Sequence, residues 1–309
     1  MTAGLQRIRR SLNCQSFLIK IVRLRATSYL GYVRDLSETG IHSKECSAVR
    51  RAASLPMIDI HSHILWGIDD GPDTVDDSLA MLQVAAEAGT TDIVATPHAS
   101  SSYKFDPEIV HSRIDELRDR HQGPPRVHFG CDFHLSAPNV EDALLNPAKY
   151  TIDAGRFLLV ELPEMFSQDS IGRALELLLR EEMIPVITHP ERNPVLQRSP
   201  EIMDEWINQG CFIQLTAQSF LGRFGQVAKR SALACLRTGR AHFVASDAHD
   251  VRDRPPRLDI VSDLLRKEVG ELLAQRLLID HPRAAIENRE DCIDVSSRPK
   301  THTWQFWRK

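Results

Sequence analysis

The sequence lacks the patterns of a membrane protein or of a disulfide-stabilised one. No window approaches the roughly 20 uninterrupted apolar residues of a membrane-spanning helix, since even SFLIKIVRL is broken by Lys20 and Arg23. The six cysteines are scattered without a CxxC pair, which favours reduced thiols over disulfides. We therefore expect a cytoplasmic protein without a transmembrane segment.

The motifs of covalent and nucleotide-type phosphate chemistry are also missing. The chain contains neither a GxSxG elbow nor a glycine-rich phosphate loop. Cys292 and Arg298 in CIDVSSR have the spacing of a cysteine-dependent phosphatase loop. However, no glycine lies between them, and nearby Asp291 and Asp294 oppose the low thiol pKa that this chemistry needs. We treat that spacing as coincidence.

After residue 56, acidic residues outnumber basic ones. Residues 1–56 hold 10 Lys and Arg against 3 Asp and Glu, which leaves 28 against 39 for the remainder. An acidic body lacks the basic face that a nucleic-acid-binding domain usually presents. No nucleic acid partner is expected, and any anionic substrate must be held by local cations.

The chain divides into three segments at Met57 and near residue 290. Residues 1–56 are Arg-rich, like an organellar transit peptide, but we favour a disordered extension or an upstream start codon chosen in place of Met57. A membrane-surface helix around residues 17–25 is a further alternative. Residues 57–290 form the predicted domain, and residues 291–309 form a polar tail.

From Met57 onward, short β-branched apolar runs alternate with longer helical patterns, which is typical of βαβ units in a parallel sheet or barrel. Several of the helical patterns end at glycine, the expected helix stop, and a last helical region covers residues 257–288. The seven predicted strands are MIDIHSH (57–63), TDIVATPH (91–98), RVHFGCDF (126–133), RFLLVELP (156–163), IPVITHPE (184–191), CFIQLTA (211–217) and AHFVASDAH (241–249).

Six of these seven strands carry a metal-capable side chain at the C-terminal end; only the strand at 211–217 does not. In a closed parallel barrel all these ends meet at one rim, where the active sites of such folds are built. Each residue alone is more simply a surface or capping residue, so the joint placement is the evidence. The residues are His61, His63, His98, Asp132, Glu161, His189, Asp247 and His249.

Imidazole and carboxylate groups without thiolate favour manganese, iron or zinc over a cysteine-type structural zinc site. The HxH alternation directs both rings to one face of a strand, which suits two ligands to one ion. So many ligands suggest two or three divalent ions, which generate hydroxide from water and stabilise a transferring phosphoryl group. The implied reaction is hydrolysis.

Several assignments stay open at this level. Arg192 and Arg254 follow ligand motifs and suit phosphate oxygens, but surface ion pairs with Glu191 or Asp253 are equally consistent. Spacing after His63 favours Asp69 over its neighbour Asp70, and His134 could assist Asp132. The histidines interpreted as non-ligands are His42, His111, His121, His128, His242, His281 and His302.

The motifs MIDIHSHILWGIDDGP, VATPH, VELP, ITHPERN, QLTAQSFLGRFG and FVASDAH with RPP resemble the polymerase and histidinol phosphatase (PHP) superfamily. Within it, they are most similar to the manganese-dependent tyrosine-protein phosphatases of bacterial capsule and exopolysaccharide operons, the CpsB, CapC and YwqE group. The similarity runs from Met57 to about residue 290 in the same motif order.

The resemblance implies an α/β fold, a distorted TIM-like (β/α)7 barrel, with a trinuclear manganese site. It also implies a metal-bridging hydroxide as nucleophile and the phosphotyrosine tail of a bacterial tyrosine kinase as substrate. Arg192 and Arg254 would hold the phosphate. The implied metal ligands are His61, His63, Asp69, His98, Asp132, Glu161, His189, Asp247 and His249.

One departure and several rival functions remain. The family usually has Glu where this chain has Asp132, so the shorter carboxylate must reach the metals or be helped by His134. Rival functions are a PHP-type phosphatase of histidinol phosphate or another small phosphoester, and a non-catalytic, metal-stabilised binding partner of the kinase. A metal-dependent amidohydrolase would need a bridging lysine that no strand end carries. The sequence leaves open whether the chain forms a homo-oligomer.

Overall fold

The computed structural model describes residues 56–293. The predicted N-terminal extension, apart from Pro56, and the tail beyond Ile293 lie outside the described residues. None of the helices between residues 56 and 293 combines the length and apolar character needed to cross a bilayer. Within this range the four cysteines are free thiols, three of them buried.

All seven predicted strands are present in the described part of the chain, and two of them are each split in two. Pro97 interrupts the second, because proline has no N–H to donate to the sheet. Gly130 interrupts the third at a close approach, where a Cβ would lie 2.7 Å from Cγ1 of Val94. The strands are β1 Met57–Ser62, β2 Thr90–Ala95, β3 His98–Ala99, β4 Arg126–Phe129, β5 Asp132–His134, β6 Phe157–Glu161, β7 Ile184–Thr188, β8 Phe212–Thr216 and β9 Phe243–Ala245.

The strands form a parallel barrel. Hydrogen bonding gives the orders β1-β2-β4 and β3-β5-β6-β7-β8-β9, which together place the seven predicted strands side by side in chain order. The last strand returns to the first. The amide of Asp247 donates to the carbonyl of His61 at 2.9 Å, and the amide of His63 donates to the carbonyl of Ala248 at 2.7 Å. The predicted α/β barrel-type fold is confirmed.

Helices connect successive strands around the outside. Side chains of Thr74, Asp106 and Ser136 accept hydrogen bonds from first-turn amides and so fix where three of them begin. The helical region predicted at 257–288 is interrupted at Gly270, whose φ of 84° does not fit a helix. The helices are α1 Val75–Glu87, α2 Pro107–Arg120, α3 Ala137–Leu145, α4 Gln168–Arg180, α5 Pro194–Arg198, α6 Ile202–Gln209, α7 Ala217–Leu221, α8 Gly225–Arg237, α9 Asp259–Val269, α10 Glu271–Gln275 and α11 His281–Ile286.

Alternation along the strands separates two apolar layers and positions the site above one of them. In β6, Phe157 and Leu159 belong to the inner cluster, whereas Leu158 and Val160 belong to the larger cluster that includes the helices. The next residue on the inner face of β6 is Glu161. The strands thus carry an apolar layer inside the barrel and polar groups above it, at the C-terminal rim.

Candidate metal centre

The predicted histidines and carboxylates converge at this rim. Their ligand atoms form four groups, and within each group they lie within 4.8 Å of one another. Every predicted ligand except Asp69 belongs to at least one group. The groups are His61, Asp132 and His189; His61, His63 and Asp247; His98, Asp132 and Glu161; and His63, Asp70, His98 and His249.

The HxH pair shows how the rings are oriented. Nδ1 of His63 is bonded to Oδ2 of Asp69 at 2.7 Å, and Nδ1 of His61 is bonded to Oε1 of Gln214 at 3.0 Å. With both Nδ1 atoms donating, both Nε2 atoms carry lone pairs, yet they face each other at 3.3 Å. Two nitrogens bound about 2.1 Å from one ion are about 3 to 3.4 Å apart. The pair therefore has the geometry of two ligands to a shared cation.

Gln214 belongs to the candidate site, although the sequence pattern did not predict it. It lies on β8, which corresponds to the one predicted strand without a metal-capable side chain, and it is fully buried. An amide is a poor metal ligand beside imidazoles, so the residue type alone does not indicate a place in a metal site. Alternation was the available signal, because Gln214 follows Phe212 of the inner cluster on the same face.

The adjacent aspartates Asp69 and Asp70 have different roles in the geometry. The carboxylate of Asp69 is occupied by protein donors: the ring of His63, the amide of His98 at 3.0 Å and the amide of Gly71 at 3.1 Å. Asp70 directs Oδ1 to Nε2 of His249 at 3.3 Å and to Nε2 of His98 at 3.5 Å. The structure thus places Asp70 among the ligand groups and Asp69 behind His63.

The carboxylate of Asp132 reaches the site although its side chain is one methylene shorter than that of the Glu usual in the family. Its Oδ2 lies 3.2 Å from Nδ1 of His98 and 3.6 Å from Nε2 of His61, and the side chain is fully buried. His134 does not replace it, since the ring of His134 contacts Glu161 at 3.5 Å. Thr188 donates to Oδ1 of Asp132 at 3.3 Å and so orients the carboxylate.

Two of the candidate ligands have left-handed backbone. His189 has a φ of 37° and Asp247 a φ of 54°. Non-glycine residues in this region cost about 1 to 3 kcal/mol, and such strain concentrates at functional sites. In both cases the turn comes where a strand ends, and it keeps the side chain at the rim.

Burial and charge together set the protonation of the site. Burial, followed by the charge of His249, lowers the pKa of His63 to about 4, so this ring is neutral and able to bind a metal. Burial alone would lower the pKa of His98, but its ion pair with Asp132 and the charge of Glu161 raise it to about 9. An ion bound by His98 therefore displaces a proton.

Arg192 and Arg254 both face the site and share one oxygen. Oδ2 of Asp247 forms an ion pair with Nη1 of Arg192 at 2.9 Å and accepts a hydrogen bond from Nη2 of Arg254 at 2.5 Å. Between residues 56 and 293, Arg192 does not pair with Glu191 and Arg254 does not pair with Asp253. Glu191 is buried and accepts from Ser219 at 2.6 Å, and Asp253 lies 3.8 Å from Arg223. Nε of Arg254 is buried with no hydrogen-bond partner among the described residues, which leaves a donor for an anion.

The residues present fit divalent ions. Oδ2 of Asp132 and Nδ1 of His98 lie 3.2 Å apart, and neither has a hydrogen-bond partner among the described residues, whereas buried polar atoms are normally satisfied. Nitrogen and carboxylate oxygen donors in this mixture suit manganese, iron or zinc. Of the histidines interpreted as non-ligands, the five between residues 56 and 293 belong to none of the four groups; His42 and His302 lie outside the described residues.

Comparisons with known proteins agree on one family. A family model described as "Capsular polysaccharide synthesis, CpsB/CapC" matches residues 57–287. The tyrosine-protein phosphatase YwqE of Bacillus subtilis is 33% identical over 229 residues, which are 72% of this chain and 88% of that protein. The tyrosine-protein phosphatase CpsB of Streptococcus agalactiae serotype V is 30% identical over 243 residues, 75% of this chain and 99% of that protein.

A solved structure supports the same relationship. It comes from work on YwqE of Bacillus subtilis and CpsB of Streptococcus pneumoniae, described there as unique metal-dependent tyrosine phosphatases. The TM-score is 0.71 at 31% identity, over 75% of this chain and 95% of that one. On its sequence, its fold and the arrangement of its rim, this chain belongs to the CpsB/CapC family.

Proposed function

We propose that this protein is a manganese-dependent protein-tyrosine phosphatase of the cytoplasm. Its substrate would be the phosphotyrosine tail of a bacterial tyrosine kinase in capsule or exopolysaccharide biosynthesis. The observation that carries the proposal is the arrangement around Asp247, whose Oδ1 faces the HxH pair and whose Oδ2 forms ion pairs with two arginines. A pair of arginines that can bind an anion thus adjoins a group of side chains that can bind metal ions, as phosphoester hydrolysis requires.

The metal ligands we propose follow the four groups at the rim. They are His61, His63, Asp70, His98, Asp132, Glu161, His189, Asp247 and His249, and Asp69 acts by orienting His63. When bound, the divalent ions supply hydroxide at neutral pH and neutralise charge on the phosphoryl oxygens.

The arginines provide the remaining positive charge for the substrate. The planar guanidinium groups of Arg192 and Arg254 match phosphate oxygens, and Asp247 holds them at the edge of the site before substrate arrives. Nε of Arg254 is free to donate to a phosphoryl oxygen. Because these donors are already in place, little reorganisation accompanies the build-up of charge during transfer.

The experiment compares a phosphotyrosine peptide with histidinol phosphate, each with and without added manganese. We expect manganese-dependent phosphate release, with higher kcat/KM on the peptide. His189→Ala removes one proposed ligand, and His121→Ala is the matched control, because His121 is outside the ligand groups. A strong preference for histidinol phosphate would move the function to the small-substrate branch. No metal-dependent hydrolysis of either compound would favour the non-catalytic binding partner.

A further inference from the structure

Phe224 contacts both phosphate-site arginines with a single ring. The guanidinium carbon of Arg192 lies 4.5 Å from the ring centroid, and that of Arg254 lies 5.6 Å from it. At such distances a guanidinium group is attracted by the negative face of an aromatic ring. Phe224 is only half-buried, so its position is not explained by packing in the core.

The backbone around Phe224 forms a turn between α7 and α8 with a glycine on either side. Gly222, which ends α7, has a φ of 85°, and Gly225, at the start of α8, has a φ of 88°. Residues other than glycine rarely adopt this conformation. The ring is therefore presented by a defined turn.

Helix α7 is attached to the loops that carry the two arginines. Ser219 donates to the buried carboxylate of Glu191 at 2.6 Å, and Nε2 of Gln218 donates to the carbonyl of Pro255 at 3.4 Å. Glu191 and Pro255 are sequence neighbours of the two arginines. The segment that carries Phe224 is thus fixed to both loops.

The electrostatic situation explains what the ring contributes. Arg192 and Arg254 carry like charges and share one oxygen of Asp247, so they repel each other. Arginine side chains are also long and have many rotamers. An aromatic face in contact with both guanidinium groups attracts each of them and restricts their movement. Restricting the donors before substrate binds reduces the ordering that binding must otherwise bring about.

We propose that Phe224 is a positioning residue of the phosphate site, which holds Arg192 and Arg254 in the orientation that receives the phosphoryl group of phosphotyrosine. The inference rests on the proposed phosphatase function and adds a determinant to the same site.

Phe224→Leu keeps apolar volume and removes the aromatic face, and Phe224→Tyr restores that face. With manganese-loaded protein, we expect Phe224→Leu to raise KM for a phosphotyrosine peptide about ten-fold with a smaller change in kcat, and Phe224→Tyr to stay near wild type. Metal content should be unchanged in both. Val227→Ala is the control, because Val227 is an exposed apolar residue of the adjoining helix.

Binding of inorganic phosphate to the manganese-loaded protein, measured by calorimetry, tests the inference without turnover. We expect about ten-fold weaker binding in Phe224→Leu and wild-type binding in Phe224→Tyr and Val227→Ala. If phosphate binding weakens in Phe224→Leu as expected, but the wild-type protein does not hydrolyse phosphotyrosine, the proposed function fails and the positioning role stands. Unchanged KM and phosphate binding in Phe224→Leu, equal losses in both Phe224 variants, or a fall in metal content with Phe224→Leu would each overturn the inference.

Discussion

The side-chain oxygen of Gln214 lies 3.0 Å from Nδ1 of His61, and both side chains are fully buried. The two residues are 153 positions apart and come from the first and the next-to-last of the seven predicted strands. Gln214 accepts a hydrogen bond from Nδ1–H of His61. The lone pair of His61 is then on Nε2, which faces Asp132 and Asp247. A neutral amide therefore fixes the tautomer of a proposed ligand.

Replacing Gln214 by Met should weaken metal binding about 10- to 100-fold, because His61 loses the acceptor that fixes its tautomer. Gln214→Glu keeps an acceptor and should retain more affinity. Nε2 of Gln214 has no hydrogen-bond partner among the described residues, but Met also leaves the buried Nδ1 of His61 without its acceptor, so the metal-free fold should lose about 1 to 3 kcal/mol of stability. Calorimetric metal titration, beside thermal unfolding of the metal-free protein, measures both effects; wild-type affinity in Gln214→Met would contradict this role.

Asp69 and Asp70 should respond differently to the same chemical change. Asp70→Asn should reduce the number of ions bound per chain, because a proposed ligand is lost. Asp69→Asn should keep that number but weaken binding, because the carboxylate acts through His63. Elemental analysis of protein equilibrated with manganese separates the two results. A lower ion count in Asp69→Asn with a normal count in Asp70→Asn would reverse the assignment.

His128 should give the fold a pH dependence that is independent of the metal site. Burial alone would lower the pKa of His128, but its contacts with Asp153 at 2.7 Å and Asp92 at 3.1 Å raise it to about 9. A raised folded-state pKa means that the stabilisation is complete below about pH 6.5 and is lost as pH rises towards 9. The contribution is at most about 3 kcal/mol.

Urea unfolding of wild type and His128→Gln at several pH values between 6 and 10 tests this expectation. The free-energy difference between the two proteins should be largest at the acidic end and should shrink as the pH rises through 9. A difference that stays constant over the whole range would show that the histidine acts through shape rather than charge.

A chain shortened to begin at Met57 should retain metal content and turnover. The side chain of Met57 is 2% exposed, and its amide donates to the carbonyl of Gly89 at 3.1 Å, so β1 is anchored from its first residue. The match to the CpsB/CapC family model also begins at residue 57. Loss of metal or activity in the shortened protein would place part of residues 1–56 within the functional unit.

Local patterns predicted the parallel βα units and the metal-capable strand ends, and the family resemblance specified a barrel. Apolar runs identify strands, and a parallel barrel brings the ends of strands such as those at His98 and His189 to one edge. The interruption at Pro97 follows from its missing N–H and is visible in the sequence. The one at Gly130 depends on how closely Val94 approaches, and that distance is set by the assembled sheet.

The parts that the sequence did not predict depend on orientation and on distant partners. Asp69 and Asp70 are adjacent and chemically identical, and only the path of their loop decides which carboxylate faces His249. Gln214 and Phe224 resemble ordinary strand and turn residues until their partners, far away in sequence, are brought beside them. Neither belongs to a residue type that a search for ligands would select.

The closure of the barrel between His61 and Asp247 has a consequence for how the protein is made and maintained. The two ends of the barrel meet at the same place where the proposed ions bind, so an ion coordinated by both residues would clamp the joint between the first strand and the last. A chain cut before residue 243 would lack both the closing strand β9 and the proposed ligands Asp247 and His249. Metal loading would then report that the last strand has closed against the first, and chelators should open the barrel first at this joint.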